Sequence, residues 1–399
     1  MDNLFTLVKQ EDDNKLLEDL YIAYYDTRKN KRNKKVSLEY ELDFEKNIIN
    51  LHKSIINKSY KPKPCIAFLV KRPVLREVFA ASFEDRIIHH YIYNQISPIF
   101  EKEFIEDSYS CRKGKGTLYG INRVFDFIKE CSENYTKQCY ILKLDIKGYF
   151  YSINKNILYE IIIKELVDKK RFLNCDFDTL IFLITKTIFS NPRKDVVVYK
   201  DKDWDILPKN KSLFYAKENC GLPIGNLTSQ LFSNIYMNIF DRYVKDKLKI
   251  KYYGRYVDDF VIVHQNKDFL KKNITIFRNF LKNNLHLEIH PNKIYLQDYQ
   301  KGLSFLGAFL KPNVKFPSKR IKANFNNLIY SINQNITFKE EYILNIRNQI
   351  NSYLGILGHL KSYRLKEKSL SKLNSSFFET FYFDDNLAKV SIRKNYAKS

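Results

Sequence analysis

The sequence predicts an α+β protein of two or three domains, and three observations carry that expectation. The chain has 399 residues, enough to bury more than one hydrophobic core. Hydrophobic residues make up 44% and aromatics 15%, a balance that excludes a disordered chain. Short runs of Tyr, Val, Ile and Phe recur between longer stretches with helical apolar spacing. The formal net charge of +23 adds a partner class: a polyanion, with nucleic acid favoured over an anionic membrane surface.

Residues 1 to about 60 read as helices, with apolar positions at Leu16, Leu20, Ile22 and Ala23 and then at Leu42, Phe44, Ile48, Ile49 and Leu51. Between them "RKNKRNKK", Arg28 to Lys35, is either a solvated loop or a phosphate contact. "YKPKP" at Tyr60 marks a boundary. From Cys65 to Phe100 the pattern gives a strand, a basic turn, a second strand and a long helix. "CRKGKGT" (Cys111 to Thr117) leads into another helix and lacks the order of a P-loop. "CYILKLDIKGYFYSI" is a strand ending in a polar turn, followed by helix to about Ser190. An irregular segment holding Trp204 comes next. "GLPIGNLTSQ" opens a helix from about Ser229, and "RYVDDFVIV" reads as a hairpin. A helix from about Asp268 to Asn284, two further strands ("LHLEIHPNKIYL" and "LSFLGAFL") and a helical region after Pro317 complete the chain. The last region carries a stripe at Ile343, Ile346, Ile350, Leu354, Leu357 and Leu360.

The six cysteines form no CxxC pair and read as free buried thiols of a reducing compartment. The first residues lack a signal-peptide pattern, and no run approaches 18 apolar residues. A cytoplasmic protein with no membrane partner is the expectation.

Asp145 ends one strand, and Asp258 and Asp259 interrupt an apolar hairpin. Strand formers normally exclude Asp, and adjacent carboxylates ionise together cheaply only beside a cation. If the strands are neighbours in one antiparallel sheet, the three carboxylates meet at its edge. Hard oxygen ligands suit Mg²⁺, and a two-metal site suits phosphoryl transfer. A solvated turn that merely tolerates Asp is the alternative for an isolated pair.

"YVDD", preceded by "LKLDIKGYF", resembles the catalytic motifs of reverse transcriptases. In the same order "FLVKRPVLREV" and "EDSYSCRKGKGT" resemble the two fingers motifs. "GLPIGNLTSQ" resembles the template and nucleotide loop, and "HPNKIYL" and "GLSFLGAFL" the fourth palm motif and the primer grip. The resemblance implies a right-hand polymerase fold with fingers, antiparallel-sheet palm and helical thumb. Its parts are an N-terminal helical extension with a basic loop at 1–60, fingers at 61–138 and palm at 139–312. A finger-like segment lies within the palm at about 160–215, and a helical thumb and tail follow at 313–399. It further implies two Mg²⁺ ions, replaceable by Mn²⁺, held by Asp145 and Asp258 with the Ile146 carbonyl and with Asp259 as a third carboxylate. Phe150 becomes the steric gate against a ribose 2′-hydroxyl. Lys71, Arg76 and Arg112 lie near the incoming triphosphate, and Ile224, Gly225 and Gln230 in the nucleotide loop. Lys293 is the acid for the pyrophosphate leaving group, and Phe305, Leu306 and Gly307 support the primer end. The implied partners are template RNA, primer, cDNA and dNTPs.

Within the family, Ile224-Gly225 and Ser229-Gln230 resemble the enzymes of diversity-generating retroelements, as do "NSYLGILGHLKSYRL" and the stretch from Ile88 to Thr117. That resemblance implies an adenine-mutagenic enzyme with an accessory basic protein. A bacterial antiphage reverse transcriptase is the runner-up, and a catalytically silent RNA-binding protein on the same scaffold is the rival from another class.

Overall fold

The computed structural model describes residues 2–71, 74–194, 196–199, 202–334 and 340–393, with side chains from Asp13 onward outside Lys202, Glu340 and Glu341. Arg72 and Pro73 of the first fingers motif lie outside the described residues. The chain forms two compact units, one of residues 1–114, 144–260 and 271–294 and the other of 115–143, 261–270 and 295–399. The expected α+β right-hand class holds: helices combine with mainly antiparallel sheets.

The first unit opens with α1 (Asp2–Arg28), α2 (Lys35–Glu41) and α3 (Phe44–Ile56). Leu16, Leu20, Ala23, Ile48, Leu51 and Ile55 are buried, while Ile22, Leu42 and Ile49 are exposed, so the helical apolar pattern is only partly a core pattern. Arg28 caps the basic run by pairing with Glu41 at 2.6 Å, and residues 29–35 are exposed. The run is a turn on the surface between two helices.

Strands β1 (Ile66–Val70) and β2 (Arg76–Ala80) pair antiparallel from Ile66↔Ala80 to Val70↔Arg76. Helix α4 (Phe83–Glu103) follows, its start fixed by Ser82, whose hydroxyl accepts from the Asp85 N–H, with Glu84 and Asp85 in the first turn. Ile87, Ile88, Tyr91, Ile92, Ile96 and Phe100 bury both faces of this helix. After α5 (Thr117–Cys131) comes β3 (Tyr140–Asp145), then α6 (Tyr149–Ser152), α7 (Lys155–Asp168), α8 (Phe177–Ile188) and the two-residue β4 (Val197–Val198), which pairs parallel with β1. Helix α9 (Leu227–Arg242) begins two residues before the expected point and is buried on almost every face. It leads to β5 (Tyr253–Tyr256), β6 (Asp259–His264) and α10 (Lys267–Leu285).

Strands β5, β6, β3 and β7 (Tyr295–Asp298) hydrogen-bond in that order as a four-stranded sheet. Of the two strands expected in "LHLEIHPNKIYL", only β7 forms. Ile289 makes an isolated antiparallel bridge to Ile146 because Pro291 and the turn at His290 interrupt the ladder.

In the second unit β8 (Leu303–Phe305), β9 (Ala308–Lys311) and β10 (Val314–Pro317) form a meander. Helices α11 (Lys319–Asn333), α12 (Glu340–Gly358), α13 (Tyr363–Leu370) and α14 (Ser375–Thr380) then enclose a core of Phe325, Leu328, Ile350, Leu354, Leu357 and Phe377. The apolar stripe on α12 is buried as expected, except that Leu360 falls beyond the helix and is half-buried. A hairpin of β11 (Phe381–Phe383) and β12 (Val390–Ile392) closes this core, where helices alone were expected. Its cause is aromatic packing: Phe381 stacks on Phe377 with ring centroids 4.7 Å apart.

All six cysteines are free; Cys65, Cys131 and Cys139 are buried, but Cys111 is exposed. Among the described residues no helix is long and apolar enough to cross a membrane.

Candidate active site

Strand β3 ends at Asp145. The Ile146 N–H donates to the carbonyl of Asp258 at 3.3 Å, and the His290 N–H donates to the Asp145 carbonyl at 2.8 Å. These bonds set the strand end beside the β5–β6 turn and beside the segment carrying Lys293. The Lys293 ammonium lies 2.9 Å from both carboxylate oxygens of Asp145.

The turn itself is unusual. Val257 and Asp258 are its central residues, and Val257 has φ +57. A positive φ at the first central position is the habit of glycine in tight hairpins, and a β-branched residue there is strained by about 1–3 kcal/mol. Arg255 holds it. Its guanidinium is fully buried and donates to the Val257 carbonyl at 2.9 Å, to both Asp241 oxygens at 2.7–3.0 Å, to Asn234 at 3.4 Å and to the Ser108 hydroxyl at 3.2 Å. The Tyr253 hydroxyl donates to Asp241 at 2.5 Å. The Arg255 main chain also pairs on both sides with residues 107–109. One buried arginine therefore joins the EDSYS stretch, α9 and the YVDD turn. It was not singled out in the sequence, although an arginine inside an apolar strand and an aspartate inside the apolar "NIFDRY" were visible signals.

Asp258 is half-buried. Desolvation first, then the Asp259 and Asp145 charges, push its carboxyl up to about 7, against a smaller opposing pull from Lys293. Among the described residues no three His, Cys, Asp or Glu side chains stand ready as a metal cage, and Asp145 is paired with Lys293. The donor chemistry nevertheless fits a hard divalent ion: these are carboxylate oxygens, and the repulsion that the Asp259 and Asp145 charges exert on Asp258 is what a cation would relieve.

Phe150 is half-buried, edge-on to buried Tyr149 at 5.5 Å. The Tyr149 hydroxyl donates to the Ser233 carbonyl at 2.5 Å. The loop before α9 is strapped at both ends: Leu222 N–H donates to Phe150 O at 2.8 Å, and Phe79 N–H donates to Ile224 O at 2.8 Å. Gly225 has φ +124, and a Cβ there would lie 2.8 Å from Phe79 O, so only glycine lets the loop sit on β2. Buried Glu77, also unanticipated, anchors the facing loop by accepting from Ser212 Oγ at 2.6 Å and Leu213 N at 2.7 Å.

Other expected residues are placed differently. Arg112 is half-buried, its side chain largely covered, and donates to Glu101 and to the carbonyls of Glu101, Ile105 and Ser108, with its charge over the Phe104 ring. It ties a loop to α4. Lys71 pairs with Asp203 at 2.6 Å; Arg76 and Gln230 are exposed. In the second unit Leu306 (φ +48) and Gly307 (φ +92) form the tip of the β8–β9 hairpin. Phe305 is 1% exposed and belongs to the core.

The residue after a strand-end aspartate, Ile146, is hydrogen-bonded through its N–H to the carbonyl of Asp258 in an aspartate hairpin, an arrangement that suits a nucleotidyl-transferring polymerase. Residues 72–310 match the family described as reverse transcriptase (RNA-dependent DNA polymerase), and the chain belongs to that family. It is 24% identical over 291 residues to Protein YkfC of Escherichia coli, covering 64% of this chain and 69% of that protein. It is 21% identical over 299 residues to the putative COX1/OXI3 intron 2 protein of Saccharomyces cerevisiae, covering 61% of this chain and 31% of that protein. Among solved structures, apo telomerase from Candida tropicalis, truncated from its C-terminal domain, matches with TM-score 0.44 and 16% identity, covering 64% of this chain and 55% of that one. Telomerase from Candida albicans, bound to a fragment of telomeric RNA, matches with TM-score 0.48 and 11% identity, covering 81% and 57%.

Two predictions follow from the site's electrostatics. Arg255→Ala and Asp241→Ala should each cost about 3–5 kcal/mol, since each strands a buried charge, and the double variant should cost clearly less than their sum. Denaturant unfolding of the three variants measures this, and additive costs would mean the pair is not coupled. For Asp258, the folded carboxyl titrates near 7 against 3.8 in the ordinary state. The native state then holds a proton that the unfolded state has released, so metal-free stability should fall as pH rises from about 4 to 7, by roughly 1–3 kcal/mol. Thermal unfolding of Asp258→Asn should show that decline flattened; an equal decline in the variant would assign it elsewhere.

Proposed function

We propose that this protein copies an RNA template into DNA by metal-assisted nucleotidyl transfer, extending a primer with dNTPs. The observation that carries the proposal is the Ile146–Asp258 main-chain bond, which sets the end of β3 against the β5–β6 turn, where the Asp145 charge acts on the Asp258 carboxyl. Asp145, Asp258 and the Ile146 carbonyl would hold two Mg²⁺ ions, or Mn²⁺, with Asp259 beside them. Bound there, the ions would supply charge stabilisation for the attacking and leaving oxygens. Lys293, already within hydrogen-bond reach of Asp145, is assigned the protonation of departing pyrophosphate. Phe150 fills the volume that a ribose 2′-hydroxyl would need, and Leu222 fixes its main chain. Lys71 and Arg76 on the exposed β1–β2 ends are assigned the triphosphate, and the Leu306-Gly307 tip the primer.

The finer reading is an enzyme of a diversity-generating retroelement, working with an accessory basic protein. Its support is Ile224 in the loop next to Gly225. A hydrocarbon side chain offers no hydrogen bond to an incoming base, and loss of one polar contact relaxes discrimination by on the order of 1 kcal/mol.

Asp258→Ala, shown to be folded, should extend a primer at no measurable rate; wild-type extension would remove Asp258 from the metal site. Phe150→Ala should raise rNTP incorporation relative to dNTP at least tenfold, as read in single-nucleotide extension, whereas an unchanged ratio would place the gate at another residue. The affinity for RNA should fall steeply with salt, at roughly 0.7–0.9 log units per neutralised phosphate per log unit of salt. Replacing Lys31, Arg32, Lys34 and Lys35 with Gln should lower that slope by about one to three units. A slope that does not move would leave the run as a solvated turn.

A further inference from the structure

The Lys293 ammonium reaches Asp145 by a route that the main chain fixes. His290 to Lys293 form a β-turn, closed by the Lys293 N–H donating to the His290 carbonyl at 3.2 Å. Pro291 takes the second position, where its fixed φ suits such a turn. The Asn292 N–H donates to His290 Nδ1 at 3.2 Å, and the His290 N–H donates to the Asp145 carbonyl at 2.8 Å. The turn is therefore tied to the end of β3, and the lysine it carries stays within reach of one carboxylate.

At the end of that tether Nζ lies 2.9 Å from each Asp145 oxygen. The lysine side chain is 52% exposed and the aspartate side chain 13%, so the aspartate is held and the lysine is the partner able to swing away. Lys147, two residues beyond Asp145, does not share this task; its ammonium reaches Glu288 at 3.5 Å in a pair exposed at both ends. The Lys293 charge also acts on Asp258, against the lift from Asp259 and Asp145. A carboxylate bridged across both oxygens offers a divalent ion no bare oxygen pair, and an ion brought to it meets a positive charge at close range.

We propose that Lys293 is a resident counter-cation for Asp145, balancing the carboxylates of the metal-free protein and competing with a divalent ion for them. The proposal rests on the metal site assigned above and adds an order to its use. The ammonium leaves Asp145 before that carboxylate can act as a ligand, and the same departure releases it toward the pyrophosphate. Lys293 is in this sense a positioning residue before it is an acid.

The test reads metal binding with no turnover. Mn²⁺ is titrated into the full chain without primer or dNTP, and the free ion is measured by electron paramagnetic resonance. Binding that is lost in Asp258→Ala defines the carboxylate site. Lys293→Gln, checked for unchanged thermal unfolding, should bind Mn²⁺ there about fivefold more tightly than wild type, the scale on which removing a partly exposed ion pair acts. Lys293→Arg keeps the charge and can bridge both oxygens, so it should bind no more tightly than wild type. Lys147→Gln removes an equal charge from the same strand end and should leave the affinity where it was. Equal or weaker Asp258-dependent binding by Lys293→Gln overturns the counter-cation and leaves the metal site standing. An equal gain in Lys147→Gln or in Lys293→Arg overturns it too, since contact and charge at Lys293 would then not decide the affinity. No Asp258-dependent binding in wild type or in Lys293→Gln overturns the metal site and the counter-cation together.

Discussion

The site depends on the Arg255–Asp241 pair more than on the carboxylates it serves. A buried ion pair is poor evidence for stability, because desolvating two charges offsets most of their attraction. Its value here is positional. A charge-assisted hydrogen bond is worth about 1.5–3 kcal/mol, which is the scale of the strain at Val257, and the Arg255–Val257 bond at 2.9 Å falls on that very peptide. The turn can therefore hold a β-branched residue in a left-handed conformation and present Asp258 in one orientation. Gly254 follows from the same packing, since a Cβ there would overlap the Tyr109 hydroxyl.

The carboxylates form a second constraint that works against folding. Placing Asp258 in a partly desolvated position next to Asp145 and Asp259 raises its carboxyl toward neutrality, a cost that a purely structural hairpin would shed by using Asn or Gly. The same repulsion is what a bound cation would relieve. Lys293 moderates the cost from the far side of Asp145, so charge balance at the site is distributed over the strand end, the turn and the segment after His290.

Much of this was legible in the sequence. Strand-length apolar runs broken by Asp marked the β3 end and the β5–β6 hairpin, whereas "LSFLGAFL" reads as one strand and the structure folds it at Leu306-Gly307 into β8 and β9. The helical stripe on α12 was plain from its spacing. What was not legible were long-range partnerships. Arg112 beside Gly and Lys resembles a phosphate ligand, and only the fold shows Glu101 and three carbonyls converging on it. Phe305 reads the same whether it faces a primer or a core. Arg255 and Asp241 are 14 residues apart on different elements, and no local pattern couples a strand arginine to a helix aspartate. The β11–β12 hairpin was missed because three aromatic residues suit a helix face as well as a strand.

The strapped loop before α9 carries a mechanical implication. Gly221 and Gly225 are pressed against neighbours that a methyl group would displace, and the chain between them is bonded at Leu222 to the α6 region and at Ile224 to β2. A segment pinned so closely at two points behaves as a crossbar rather than a flap. Any tilt of the β1–β2 hairpin is then transmitted to the main chain behind Phe150. The setting of the Phe150 main chain and the posture of that hairpin become a single degree of freedom, and a change that loosens one will be felt as slack in the other.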